Sequence, residues 1–335
     1  MEESMNNYII ESKEYSLKLL DKYETLYTDV FNKNNQFSKI ILIGSGSSYN
    51  AGLAVKPIIE SYFGLDIITI YSYEFVKKPI ICDNALYVFV SQTGNSKETC
   101  HACEIVKSRN IETVGVTANL NSKLAISVDY TFDMACGIET VPFKTKGFTL
   151  SMLNIVLLAL KMKSLNDNKF DVNKHINKLS MAIKNFDNIY KYSVLWFDSH
   201  KSIKNKDLLI LTADIQKCGL LKEARLKLLE CSLKVVLDFD SEEFWHGPQR
   251  LLRTYKDNSV IFFIDNKDDE KMKYSEDRFL NKENGEEYYF ISDEAKYGSN
   301  IVLPIVSKDY YDVFEYIIFF QYLSCKLLHE LSMNN

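Results

Sequence analysis

Ala85-Leu86-Tyr87-Val88-Phe89-Val90 runs directly into Ser91-Gln92-Thr93-Gly94-Asn95-Ser96, and this junction decides the fold. An unbroken apolar run closed by a hydroxyl-rich, glycine-containing turn reads as a buried strand, and the segment from Lys97 to Arg109 reads as the helix after it. A turn of this composition at a helix start suits a phosphate. The first-turn N–H groups point at the anion, the helix dipole favours negative charge there, and Ser and Thr hydroxyls donate further bonds. A second turn of the same kind, Gly44-Ser45-Gly46-Ser47-Ser48, follows the apolar run Ile40 to Ile43. Two such turns after successive strands predict one small phosphorylated ligand at the carboxyl edge of a parallel sheet.

Outward from these turns the same rhythm continues. Strand-like runs at Lys39 to Ile43, Asp66 to Ile70, Ala85 to Val90, Thr113 to Thr117 and Tyr130 to Asp133 alternate with helix-length segments, among them Asn50 to Phe63. This βαβ order implies an α/β fold, a parallel sheet with helices on both faces. A long apolar segment, Phe148 to Lys163, closes the half. The polar stretch Ser164 to Lys174 has linker composition, and Ile176 to His200 reads as an amphipathic helix. The rhythm then restarts with Asp207 to Thr212, Gly219 to Leu233, Lys234 to Phe239, Val260 to Ile264, Ile301 to Ile305 and a final apolar helix, Tyr310 to Leu331. The expected organisation is an N-terminal helical segment (1–37), a first α/β domain (38–163), a linker with connecting helix (164–200) and a second α/β domain (201–335). In that second domain Thr212-Ala213-Asp214-Ile215-Gln216 stands where the first phosphate turn would be. Asp214 would repel a phosphate, so this half is expected to supply catalytic groups instead.

With 46% apolar and 25% charged residues, the 335-residue chain has the composition of an ordinary globular protein. No signal-peptide pattern opens it, and its apolar runs are interrupted before they could span a bilayer. A net charge of −5 without a basic block argues against nucleic acid as a partner. Seven scattered cysteines point to reduced thiols and a cytoplasmic location. Cys100-His101-Ala102-Cys103 has CxxC spacing but no second pair at zinc-site distance, so neither metal nor cofactor is expected.

Glu223, Lys227 and Glu230 fall on one helix face by their spacing. Taken alone, such a triplet reads as a solvated salt-bridge ladder. Sixteen positions after Glu230 comes Trp245-His246-Gly247-Pro248, where Gly-Pro ends any preceding helix and leaves an imidazole at a loop. A carboxylate and an imidazole could divide proton transfer on a sugar.

The segments GSGSSYNAG, SQTGNSKET, Gly137-Ile138-Glu139 through Thr149, and EARLKLLE followed by HGP resemble the sugar isomerase (SIS) domain family. The likeness covers roughly residues 38 to 330. Among its members the chain is similar to the isomerase half of glucosamine-6-phosphate synthase and to fructosamine-6-phosphate deglycases. The resemblance implies two tandem SIS domains, each a flavodoxin-like three-layer sandwich. It implies that Ser48, Ser91, Gln92, Thr93 and Ser96 bind the sugar phosphate, with Gly46 and Ser47 in the supporting turn and Pro142 and Lys227 as further substrate contacts. Glu230 becomes the acid/base at C1 and C2, and His246 opens the sugar ring from the neighbouring subunit of a homodimer.

Departures from the synthase are equally informative. No cysteine precedes Cys82, so no glutaminase nucleophile is expected, and no lysine matches the synthase's imine-forming lysine. Lys144 stands where the synthase has a small hydroxyl residue; Lys144 or Lys146 could meet a carboxylate on the substrate, or be surface lysines. The resulting expectation is a fructosamine-6-phosphate deglycase. The alternatives are an aldose/ketose isomerase or deaminase on an amino-sugar phosphate, and a non-catalytic phosphosugar sensor.

Overall fold

Apolar runs that alternate with helices have one economical arrangement, strands laid parallel with helices on both faces, and both halves of the chain adopt it. The computed structural model describes residues 1–31, 37–255, 258–264, 274, 287–294 and 301–329. The chain divides into two compact units, Asn7–Ile183 and Lys184–Asn335, the latter taking in Met1–Asn6.

The helices α1 (Glu2–Asp21), α2 (Thr28–Phe31), α3 (Ser47–Ile58), α4 (Ser72–Lys77), α5 (Lys97–Lys107), α6 (Lys123–Ser127), α7 (Lys146–Asn166) and α8 (Val172–Lys184) accompany the first sheet. Its strands are β1 (Lys39–Gly44), β2 (Asp66–Tyr71), β3 (Ala85–Val90), β4 (Thr113–Thr117) and β5 (Tyr130–Asp133), all parallel, in the order β2-β1-β3-β4-β5. Side chains alternate across the pleat. Ile41, Ile43, Tyr87 and Phe89 form one buried cluster with Phe75 of α4, Val106 of α5 and Leu124 of α6. Leu42 faces the opposite way, against α3, where a Cβ on Gly52 would stand 2.8 Å from it. Burying each of these large side chains contributes about 1.5–3 kcal/mol, which is why β3 is apolar throughout rather than alternating.

The second unit repeats the plan with α9 (Phe186–Ser199), α10 (Cys218–Ser232), α11 (Ser241–His246) and α12 (Val313–Lys326). Its strands are β6 (Leu208–Ala213), β7 (Val235–Asp240), β8 (Ser259–Ile264), β9 (Glu287–Ser292) and β10 (Ile301–Val302), again parallel, in the order β10-β9-β8-β6-β7. Matched strand for strand, this is the order of the first sheet, so the duplication expected from the sequence is present as two five-stranded parallel α/β sheets. The expected strand Ile301 to Ile305 pairs only over Ile301–Val302.

Three local readings change. The expected helix Ile176 to His200 is two helices, because Asn185 leaves the helical ladder to donate to the Pro304 carbonyl (2.7 Å) and the Glu315 carboxylate (2.5 Å). The stretch 164–174 is less a free linker than a packed corner. Phe170 stacks on His175 at 4.9 Å and meets Phe63 edge-on at 5.7 Å. The last helix enters through a 3₁₀ turn at Tyr310–Asp312 and ends at Lys326; positions 330 and 331 of the expected helix lie outside the described residues.

Among the described residues α7 is the one helix long and apolar enough to cross a membrane, yet 78% of its apolar window is buried within the protein. Its polar groups are satisfied internally: Ser151 bonds the Gly147 carbonyl at 2.7 Å, and Asn154 Nδ2 bonds the Leu150 and Met134 carbonyls at 2.8 and 3.0 Å. The Tyr27 hydroxyl donates to Asn154 Oδ1 at 2.6 Å, and complete burial pushes its pKa far up. Tyr27→Phe leaves that acceptor buried and unpaired. We expect it to lower unfolding stability by about 1–3 kcal/mol, read as a fall in the urea midpoint at unchanged m-value.

Candidate functional site

β1 and β3 are neighbours from which the chain winds in opposite directions, and Gly44 of β1 lies in register with Val90 of β3. The two hydroxyl-rich turns therefore leave adjacent strands at one sheet edge, at the topological switch point where α/β folds bind ligands. Gly46 adopts φ +55° ahead of α3, and α5 begins after Ser96, whose side chain does not cap the helix. Instead the Ser96 hydroxyl accepts from Thr99 Oγ1 at 3.0 Å.

The second turn is pinned by its own atoms. Gly94 N–H donates to the Ser91 carbonyl and to Ser91 Oγ, and the Gln92 carbonyl accepts from Ala118 N–H and Thr117 Oγ1. Gly94 sits at φ +65°, and a Cβ there would lie 1.9 Å from Ser122 Oγ, so the position admits only glycine. Ser91 is buried, Ser47, Ser48, Gln92 and Ser96 are half-buried, and Thr93 is exposed. The corresponding edge of the second unit is filled from within: Asp214 Oδ1 accepts from Gln216 N–H at 2.7 Å, so a carboxylate already occupies that helix start.

Sequence reasoning assigned no role to the residue that organises the first site. Glu139 is 5% exposed and accepts five hydrogen bonds. These come from the N–H groups of Thr145, Lys146 and Gly147 (3.0, 3.2 and 3.0 Å), from Thr145 Oγ1 (3.2 Å) and from Gln92 Nε2 (2.7 Å). It caps α7, and by the same carboxylate it holds Gln92. A cavity of about 190 Å³ lies beside this pair, lined by Gln92, Thr93, Asn119, Ile138, Glu139 and Lys144 among others. The two lysines singled out earlier serve the loop. Lys144 Nζ donates to the carbonyls of Glu139 and Val141, both at 2.8 Å. Lys146 turns away to Glu11 of α1 and sits 4.1 Å over the Tyr15 ring. Pro142 is exposed between them.

In the second unit, α10 carries a buried charge cluster where a solvated ladder was the simpler reading. Glu223 and Lys227 side chains are 0% and 3% exposed, while Glu230 keeps 35%. Lys227 Nζ lies 2.7 Å from Glu230 and 3.9 Å from Glu223. Burial pulls its pKa down, but the two carboxylates outweigh burial and hold it above the ordinary lysine value, so the ammonium stays charged. His246 ends α11, 75% exposed, with Nε2 2.8 Å from Glu242. Glu230 precedes the start of β7 and His246 follows its end. The six residues of β7, which span about 20 Å, thus separate the helix that carries Glu230 from the one that ends at His246. The CxxC cysteines lie within the helix core: burial raises both thiols, Cys103 to about 11.

Residues 35–161 match the SIS domain model. The glutamine–fructose-6-phosphate aminotransferase [isomerizing] of Chlamydia trachomatis is 26% identical over 69% of this chain and 39% of its own length. The chain thus spans about two-fifths of the curated relatives it first matches. A Clostridium difficile 630 protein provisionally assigned as a phosphosugar isomerase superposes with a TM-score of 0.85 at 25% identity, over 96% of this chain and 91% of that one. Glucosamine-6-phosphate deaminase from Thermotoga maritima shares the fold with a TM-score of 0.75 at 23% identity, over 97% and 93%. The turns at the β1/β3 switch point, the sheet they leave and these likenesses agree with a SIS domain over residues 35–161, the stretch that the family model matches.

Proposed function

We propose that the protein is a phosphosugar enzyme in which Glu230 carries a proton between C1 and C2 of the sugar, most specifically a fructosamine-6-phosphate deglycase. The observation that carries the enzymatic reading is the α10 cluster. A buried Lys227, held charged by its partners, faces one fully buried and one water-accessible carboxylate, an expensive arrangement that a binding scaffold has no need of. The turns after β1 and β3 bind the phosphate. His246 assists ring opening. Glu230 removes a C1 proton from the phosphorylated ketoamine to give an enaminol, and reprotonation at C2 leaves a C1 imine. Water adds at C1, the C–N bond breaks, and an aldose 6-phosphate and a free amine are released. The separation of Glu230 and His246 within one copy supports a homodimer in which the histidine serves the partner's site. The seven cysteines, none of them in a disulfide, support a cytoplasmic setting. A second reading, isomerisation or deamination of an amino-sugar phosphate, uses the same groups and is favoured by the activities for which the relatives are named.

Glucose 6-phosphate release from a panel of fructosamine 6-phosphates tests the first reading. Glu230→Gln is expected to lower kcat by about 10²- to 10⁴-fold. Glu230→Gln and His246→Ala proteins, each inactive alone, regain about a quarter of wild-type activity when unfolded together and refolded, because half the dimers then contain one intact site. Mixtures that stay inactive would place both groups in one subunit's site. Release from no panel member, with conversion of an amino-sugar phosphate to its ketose, would select the second reading. For the cluster itself, Lys227→Met strands Glu223 and is expected to cost about 3–5 kcal/mol of stability, part of which Glu223→Gln restores in the double variant, measured by urea unfolding.

A further inference from the structure

Gln92 stands in the turn to which the resemblance gives the sugar phosphate, but its side chain is already committed. Its Nε2 donates to Glu139 Oε2 at 2.7 Å and points its second hydrogen toward Cys136 Sγ at 3.5 Å. The assignment of nitrogen and oxygen within the amide is forced, since a carboxylate only accepts and an oxygen placed at 2.7 Å from it would be repelled. Glu139 is itself immobile, held by three backbone N–H groups and a hydroxyl at the start of α7. The amide plane lies flat on Gly147: a Cβ there would approach Gln92 Oε1, Cδ and Nε2 within 2.4–2.6 Å. The Oε1 atom takes no hydrogen bond among the described residues, and Gln92 lines the 190 Å³ cavity.

We infer that Glu139 is a positioning residue that locks Gln92 with its donor inward and its acceptor outward, so that the side chain selects a ligand hydroxyl or ammonium hydrogen and not a phosphate oxygen. This rests on the phosphosugar reading above and refines it. Residue 92 serves the phosphate at most through its backbone N–H, while its side chain reads the sugar or its amine. A phosphate oxygen set against Oε1 would meet a second acceptor with no hydrogen between them.

The test uses the full chain with two probes, fructose 6-phosphate and inorganic phosphate, titrated calorimetrically. Gln92→Met removes the acceptor at similar volume. It is expected to weaken fructose 6-phosphate about tenfold and inorganic phosphate by less than about twofold. A parallel loss for inorganic phosphate would show Gln92 donating to the anion and would overturn the inference. Gln92→Glu reads the lock itself. Near pH 8 two carboxylates would face one another and fructose 6-phosphate binding is expected to fall. Near pH 5.5 the pair shares one proton, the Glu139 contact is remade, and the outward acceptor returns. Lys144, Lys146, Asp133 and Cys136 are the other ionisable groups around the pair, and they are common to variant and wild type. The variant-to-wild-type affinity ratio at each pH therefore isolates residue 92 and also cancels the ionisation of the ligand phosphate. A deficit that does not change with pH would overturn the pairing with Glu139. Wild type that binds neither probe would fail one step earlier, removing the phosphosugar reading and this inference together.

Discussion

The carboxylate of Glu139 is the point on which the first unit's site depends. A helix start leaves several N–H groups without partners, and α7 begins inside the protein, where water cannot supply them. Glu139 takes up three of these groups and adds a favourable charge at the positive end of the helix dipole. Everything nearby is arranged around that placement. Lys146, a cation at the unfavourable end of the same helix, swings its ammonium back to Glu11 and the Tyr15 ring on α1. The Tyr8 hydroxyl bonds both the N–H and the hydroxyl of Thr140, one residue beyond Glu139. The loop that carries Glu139 is thus tied down from α1, from α7 and by the Lys144 bridge across its own carbonyls.

These same contacts explain what could and could not be read from the chain. The strands were legible because a buried parallel strand must be apolar throughout, and Ala85 to Val90 or Leu208 to Ala213 satisfy that requirement without tertiary information. The turns were legible because glycine at φ +65° and clustered hydroxyls are local signals. Glu139 was not, since its role depends on Gln92, 47 positions earlier, and on a helix start just downstream. Asn185 misled for the same reason. Within its own segment it continues an amphipathic pattern, and only the Pro304 carbonyl and Glu315 pull it out. For the α10 triplet the spacing was readable and the burial was not. Whether a charged helix face meets water is decided by what packs on it.

The two units show one scaffold with two electrostatic settings. Both wind outward from a central pair of strands and both place a helix start at the switch point. In the first unit that helix start follows a turn of small residues and carries no side-chain cap. In the second, Asp214 supplies its own carboxylate to a backbone N–H in the equivalent turn, which satisfies the local donor and sets a negative charge where an anion would otherwise be drawn. The two edges thus differ in turn composition and local charge without any change in strand order.

The same economy operates within α10. One ammonium faces two carboxylate side chains, and these differ in their access to water. Glu223 is fully buried, out of reach of solvent, whereas Glu230 keeps a third of its side chain at the surface, in the last turn of the helix. Of the two carboxylates, Glu230 is the one that solvent or a ligand can reach. Burial alone would push Lys227 toward its neutral form; Glu223 and Glu230 together outweigh it and keep a charged donor 2.7 Å from the Glu230 carboxylate. Under the proposed reaction, a lysine with two carboxylate partners keeps one of them throughout.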